Sequence, residues 1–296
     1  MENCIWKTVS VGSVVLALGG TIELRGAAAD TESADKNQYT LFHPTPDSLL
    51  REFTPDRPDK TESPFTVDAG HFQVEMDLVA FTYDRYNPAR TDVRSESFGL
   101  FTANLKLGLC NQADFELIVP TWNTLRVEDR VAKSVQKNSG FGALMTRLKV
   151  NFFGNDGGNT ALGAIAFARY PTSEKNLGPN SMEGGIIFPL SIKLPHEWEL
   201  GAMTEVDVTE NIFGKGHHAE FINSITFAHK IFGPLDGYAE FFSAISAEKH
   251  SPWVGTIDFG LTYALAENVQ LDAGINIGLT RSADDLNPFV GIAFRF

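Results

Sequence analysis

Acidic and basic side chains recur in this chain at a spacing of two. Glu75 and Asp77, Asp114 and Glu116, and Glu205 and Asp207 are acidic pairs, and Arg147 and Lys149 are a basic pair at the same interval. Residues two apart share one face of a β-strand. Glu199, Asp258 and Asp272, with Lys106, Lys193, Lys230 and Arg295, stand singly in similar alternating surroundings. Gathered on the inner face of a closed sheet, such groups either constrict a narrow pore with charge or fill a small barrel with salt bridges. Most of the acids fall on odd-numbered predicted strands and the bases on even-numbered ones, so acid faces base across neighbouring strands. On that pattern Lys106 lies between Glu75 and Glu116, and Arg295 lies between Asp272 and the first strand.

Other chemistries are less well served. His217 and His218 beside Glu220 suggest a metal. Adjacent residues on a strand point to opposite faces, however, so the two imidazoles do not readily share an ion with Glu220. His71, His196, His229 and His250 are scattered without ligand spacing. A serine hydrolase needs its nucleophile and base within hydrogen-bond reach. Ser224 and His229 lie on one predicted strand at opposite parity, Ser251 and His250 are neighbours in a loop, and there is no Gly-x-Ser-x-Gly elbow. The glycines between Gly154 and Gly158 make a tight turn with no helix after it, so a phosphate cradle does not form. The expectation is no catalytic residue, no metal and no cofactor.

The elements that must carry the charges are strands. Alternation and breakers predict about twelve, centred on 70–83, 98–110, 113–122, 141–153, 160–169, 184–194, 198–208, 219–231, 237–247, 253–265, 269–280 and 288–296. In the eleventh, Val269, Leu271, Ala273, Ile275 and Ile277 oppose Asp272, Gly274, Asn276 and Gly278. In the last, Val290, Ile292, Phe294 and Phe296 oppose Gly291, Ala293 and Arg295. Connections alternate between short turns, such as Asn111-Gln112, and longer polar loops, such as 84–97, 123–140, 170–183 and 209–218. That is the layout of outer-membrane barrels, with strands long enough for a tilted crossing of ~9–11 residues. Trp122, Trp198, Trp253, Tyr170 and Tyr263 fall near strand ends, where an aromatic girdle sits. The final strand ends on an aromatic, so Phe294 and Phe296 read as the signal for barrel assembly.

The ends and the composition agree with export to a membrane. Lys7, an apolar run from Val9 to Leu18 and the small residues Ala27 to Ala29 read as a cleaved leader over 1–29. Residues 30–69 carry five prolines between Pro44 and Pro64 and read as an arm or linker that hangs free or plugs a pore. Residues 70–296 form the barrel, and an even strand number puts both termini on the short-turn, periplasmic side. Without the leader only Cys110 remains, so no internal disulfide forms. The net charge of −13 argues against a nucleic-acid partner. A mean hydropathy of −0.10 excludes a helical membrane protein but not a barrel, in which every second strand residue faces lipid.

Three stretches carry a resemblance: 54–75, which includes Thr54-Pro55-Asp56-Arg57-Pro58 and Gly70-His71-Phe72-Gln73-Val74-Glu75; the run from Phe115 to Pro120; and the ending from Gly291 to Phe296. They resemble a bacterial outer-membrane transporter family named for a phenol-degradation (meta-pathway) role, over roughly 54–296. The resemblance implies passage of small, aromatic or hydrophobic, organic solutes across the outer membrane, and supplies no catalytic residues. The chain is therefore expected to be a single closed antiparallel transmembrane β-barrel, all-β, of about twelve strands. Its expected role is a passive outer-membrane channel, with outer-membrane lipids, the barrel assembly machinery and small solutes as partners. The alternatives are a lipid hydrolase in the same membrane and a soluble secreted β-sandwich with a binding role.

Overall fold

The computed structural model describes residues 35–87, 92–211 and 215–296. The expected leader over 1–29 lies outside the described residues. Thirteen strands appear among those described: β1 (Phe72–Asp84), β2 (Val93–Cys110), β3 (Ala113–Asp129), β4 (Ser134–Gly140), β5 (Met145–Phe153), β6 (Thr160–Arg169), β7 (Glu183–Leu194), β8 (Trp198–Glu210), β9 (His217–Phe232), β10 (Leu235–Ser246), β11 (Val254–Ala266), β12 (Val269–Gly278) and β13 (Leu286–Arg295). All neighbours are antiparallel, and β1 pairs with both β2 and β13, so the sheet closes on itself. A single closed sheet, rather than two packed sheets, replaces the sandwich alternative.

The circle has twelve staves because β4 and β5 share one. The outer half of β3, Asn123 to Asp129, pairs with β4, and the inner half, Ala113 to Ile118, pairs with β5. The break between them is bridged where Gly142 N–H donates to the Pro120 carbonyl. The expected loop over 123–140 is thus a β-hairpin. Its β4 half, Ser134 to Gly140, has almost no apolar residue, so no alternation betrays it. Backbone pairing to Asn123–Asp129 of β3 holds it beyond Trp122.

Facing is inverted relative to a water-soluble protein. Phe72, Phe115, Phe188, Phe227, Phe259 and Leu261 are exposed, whereas the most buried side chains include Lys149, Glu116, Asp114 and Asp258. Burial of apolar surface from water would never produce that arrangement, but a hydrocarbon exterior does. Trp122, Trp198, Trp253 and Tyr263 are exposed as well, while the Tyr170 hydroxyl turns to Thr146 Oγ1 at 3.0 Å. The register of β1 on β13 shifts by one residue at Leu78, a bulge, and Phe101 on β2 takes φ 53° where its pairing is interrupted without a shift. Facing changes at this level, and Phe98 and Phe101, at opposite parity, are both exposed.

The seam is sealed by the last residue. Phe72 N–H donates to the Phe296 carbonyl, and Phe296 N–H donates to the Phe72 carbonyl, both at 3.0 Å. The two rings stack at 6.0 Å and 16°, and Phe294 stacks on Phe296 at 6.0 Å. Deleting Phe296 removes both bonds and the stack at the point where the sheet closes. The heat-modifiable band of folded barrel on unboiled gels is expected to fall several-fold relative to wild type, and an unchanged folded fraction would show that closure does not depend on this residue.

Candidate functional site: a lumen filled by the arm

The arm between Lys36 and Gly70 lies against the inner wall. Its prolines forbid a regular strand, and its only helical pieces are single 3-10 turns at Lys36–Gln38 and Asp47–Leu49. Backbone donors removed from water still need partners. The wall supplies them singly through side chains. Asp56 N–H donates to Glu75 Oε2 at 3.1 Å, and Val67 N–H donates to Asp114 Oδ2 at 2.9 Å. The N–H groups of Lys60 and Thr61 donate to the two oxygens of Glu240, at 3.0 and 2.7 Å. Asn155 Oδ1 accepts from Thr66 N–H at 3.1 Å, and Asn151 Nδ2 donates to the Pro64 carbonyl at 2.9 Å. The wall is thinned where the arm comes closest. A β-carbon at Gly108 would overlap the Asp68 carbonyl, and one at Gly291 would overlap the Arg57 guanidinium.

Charge pairing between arm and wall obeys the same plan. Asp56 lies between Lys106 and Lys149, with Lys149 Nζ at 2.6 and 2.8 Å from its two oxygens. Burial disfavours charge on Asp56, but the two ammonium groups outweigh it and hold the carboxyl well below the usual carboxylate range. Arg57 donates to Asp272 at 2.7 and 3.0 Å and to Asp77 at 2.7 Å. Lys60 Nζ reaches Asp258 at 3.1 Å and Thr256 Oγ1 at 2.8 Å. Glu62 accepts from Arg147 at 2.5 Å. Asp59 is different: burial and the neighbouring Glu240 push its carboxyl well above the ordinary range.

Only some of the charges singled out in sequence meet one another. Glu75, Lys106, Glu116 and Lys149 form one buried cluster around Asp56. Lys106 pairs with Glu75, whereas Glu116 meets Lys149 at 3.4 Å, Arg147 at 3.8 Å and the Asn104 amide at 2.9 Å. Arg295 does not reach Asp272, which Arg57 occupies. It donates to Asn268 Oδ1 at 2.7 Å and to the Arg51 carbonyl at 2.9 Å, and it lies 3.5 Å from Asp68. Glu205 and Asp207 are buried side by side on β8. His217 and His218 diverge: the first turns to the Met182 carbonyl at 2.9 Å, the second to Thr209 Oγ1 and Asn211 Oδ1.

The charged residues of the arm, and Glu240, were not singled out in sequence. One signal could have found them: the inward acids inferred from alternation number nine and the bases six, a surplus of three acids. Arg57 and Lys60 of the arm reach three of those acids, Asp77, Asp272 and Asp258.

Between the arm and the ends of β7 to β12 at the short-turn rim there remains a cavity of about 330 Å³. Phe53, Phe65, Lys193, Glu199, Tyr238 and Gln270 are among its lining residues.

Residues 55–296 match the model of a family described as "Putative MetA-pathway of phenol degradation". No curated protein matches the chain. Among solved structures, the barrel is similar to the COG4313 outer membrane channel from Pseudomonas putida F1, with a TM-score of 0.58 and 13% identity over 82% of this chain and 100% of that one. Weaker likenesses, too low to add to the fold assignment, are to the NanC porin (TM-score 0.49, 8% identity, 75% and 98% of the two chains) and to the CymD monoaromatic hydrocarbon channel (0.40, 8%, 76% and 87%). The matched segment begins at Pro55, beside the arm residues that pair with the wall, and ends at the Phe296 that closes the seam. The barrel and the part of the arm that fills it are therefore what the family model describes, and the chain belongs to the family of the putative MetA pathway of phenol degradation.

Proposed function

We propose that the protein is an outer-membrane channel for passive passage of small organic solutes, aromatic or hydrophobic ones included, and that the arm is the part of it that must yield for a solute to pass. The observation that carries this reading is how the lumen is filled. A barrel that needed only a packed interior could use large inward side chains of its own. Here the wall offers carboxylates, lysines and glycines, and a separate segment fills the space through side-chain contacts instead of a β-ladder. Such a segment can shift while every strand pairing of the barrel stays intact. The exposed apolar band suits outer-membrane lipid, with both termini on the periplasmic side, and the strand ending in Phe294 and Phe296 suits the assembly machinery. The similarity to an outer membrane channel supports the reading.

A hydrolase reading finds less support. Ser224 Oγ faces Thr61 Oγ1 at 2.6 Å inside the lumen, while the His229 ring packs on Trp198 at 4.4 Å. At the long-loop rim Ser181 Oγ is 3.1 Å from His217 Nε2, but that nitrogen also lies 2.9 Å from the Met182 carbonyl. A carbonyl there requires the nitrogen to carry its hydrogen, which leaves it no lone pair for a serine proton.

Purified protein in liposomes is expected to admit small neutral solutes in a swelling assay, and cleavage of phospholipid without swelling would reverse the ranking. Asp56→Asn leaves Lys106 and Lys149 facing each other with one carboxylate charge fewer. Breaking a buried pair costs about 3–5 kcal/mol, so urea unfolding should shift to lower midpoints, and bilayer conductance should rise as the arm loosens. Asp56 titrates lower when folded than when unfolded, so its stabilisation is complete above about pH 4 and declines below it. The gap between wild type and Asp56→Asn should therefore narrow from pH 5 to pH 3. Gly108→Val should displace the arm and make residues 51–68 several-fold more sensitive to protease, while the barrel keeps its heat-modifiable band. An arm as protected as in wild type would count against the close approach.

A further inference from the structure

The outward face of β2, β3 and β4 changes character above the apolar band. Phe81, Phe98 and Thr124 stand opposite one another in register, and both phenylalanines are exposed, so this row faces out of the barrel. Trp122, also exposed, lies two residues below Thr124 on the same face of β3. Two residues further up, the next row is Tyr83, Glu96, Arg126 and Lys137, paired in register across β1 to β4. The row after it carries Arg94 opposite Glu128. At the turn of the hairpin Arg130 lies over the Tyr86 ring at 4.0 Å.

These groups are accessible from outside. The Arg94 and Arg126 side chains are each about a third exposed, and Arg130 and Lys137 are exposed. The ion pairs stay within the patch: Arg126 meets Glu128 at 2.7 Å and Glu96 at 3.5 Å, and Arg94 meets Glu96. Four cations thus share two carboxylates, a cationic excess in a chain whose net charge is −13. Pairs this exposed add little stability, and the backbone ladder already holds the hairpin, so the fold itself does not need the excess.

Height decides what the patch meets. Strands rise ~3.3 Å per residue and tilt by about 40°, so a step of two residues climbs about 5 Å. The polar layer on each side of the hydrocarbon is about 5–7 Å deep. The row of Arg126 and Lys137 therefore stands within the headgroup layer, one step above the last aromatic row. Guanidinium and ammonium groups at that depth complement phosphate. A second cationic row above the first suits a lipid with more than one phosphate.

We propose that this patch binds the phosphate groups of a phosphorylated glycolipid of the lipid A class in the outer leaflet, through Arg94, Arg126 and Lys137. The proposal rests on the outer-membrane channel reading, which puts the long-loop rim outside.

The full-length protein in detergent is titrated with bisphosphorylated lipid A, the same lipid with both phosphates removed, and phosphatidylglycerol. The bisphosphorylated lipid is expected to bind about tenfold more tightly than the other two, and less tightly at high salt. One basic group at an anionic surface is worth about fivefold in affinity, so Arg126→Gln and Lys137→Gln should each weaken binding by that factor. Glu96→Gln removes a competing carboxylate and should tighten it, an effect that a merely structural ion pair does not produce. Lys230→Gln, at the short-turn rim, should leave it unchanged, and a heat-modifiable band shows that each variant is folded. Equal affinity for lipid A with and without phosphates, equal or tighter binding of phosphatidylglycerol, or wild-type affinity in the double variant Arg126→Gln, Lys137→Gln would each overturn the proposal. Liposome swelling keeps the two readings apart. Swelling without phosphate-dependent lipid binding ends the patch and spares the channel, and such binding without swelling does the reverse.

Discussion

Ionised groups pointing into the barrel need partners, and most of the structure depends on that need. A charge inside a low-dielectric wall costs several kcal/mol unless it is paired and hydrogen-bonded. Lys149, Glu116 and Asp258 have fully buried side chains. The wall alone does not satisfy them all: Asp258 and Asp272 reach Lys60 and Arg57 of the arm, and Lys149 reaches Asp56. Barrel and arm are therefore one electrostatic unit, although only the barrel is a sheet.

The arm's composition answers the same constraint. The prolines interrupt the arm's row of backbone donors, so it cannot extend the ladder and does not compete with the closed sheet for pairing. Several of its N–H groups are satisfied one at a time by Glu75, Glu240, Asn155 and Asp114. Contacts of that kind fix a position without a continuous interface, which is what the proposed yielding of the arm requires. The cavity lies between residues of this segment and the short-turn ends of β7 to β12.

The bilayer imposes the opposite demand on the outer face. Every backbone group at membrane depth must be bonded within the protein, and a closed sheet does this only if its last residue pairs with its first strand. Phe296 meets that condition through two main-chain bonds to Phe72. The hairpin of β3 and β4 extends past Trp122 and keeps a polar surface.

The alternation of apolar and polar residues determined the class, the staves and the faces. A period of two is a local property, and lipid outside with charge inside reinforces it on nearly every strand. The inward position of Lys106, Glu116, Lys149 and Asp272 was legible for that reason. Their partners were not. Parity tells which way a side chain points, but not what a separate segment brings to meet it, and Arg295 was accordingly assigned to an acid that Arg57 occupies. The polar β4 hairpin, the bulge at Leu78, the positive φ of Phe101 and the line of Tyr238 over Gly260 and Gly274 were also decided only by the folded barrel. Each depends on register between strands distant in sequence, and register is set when the circle closes, not by any one segment on its own.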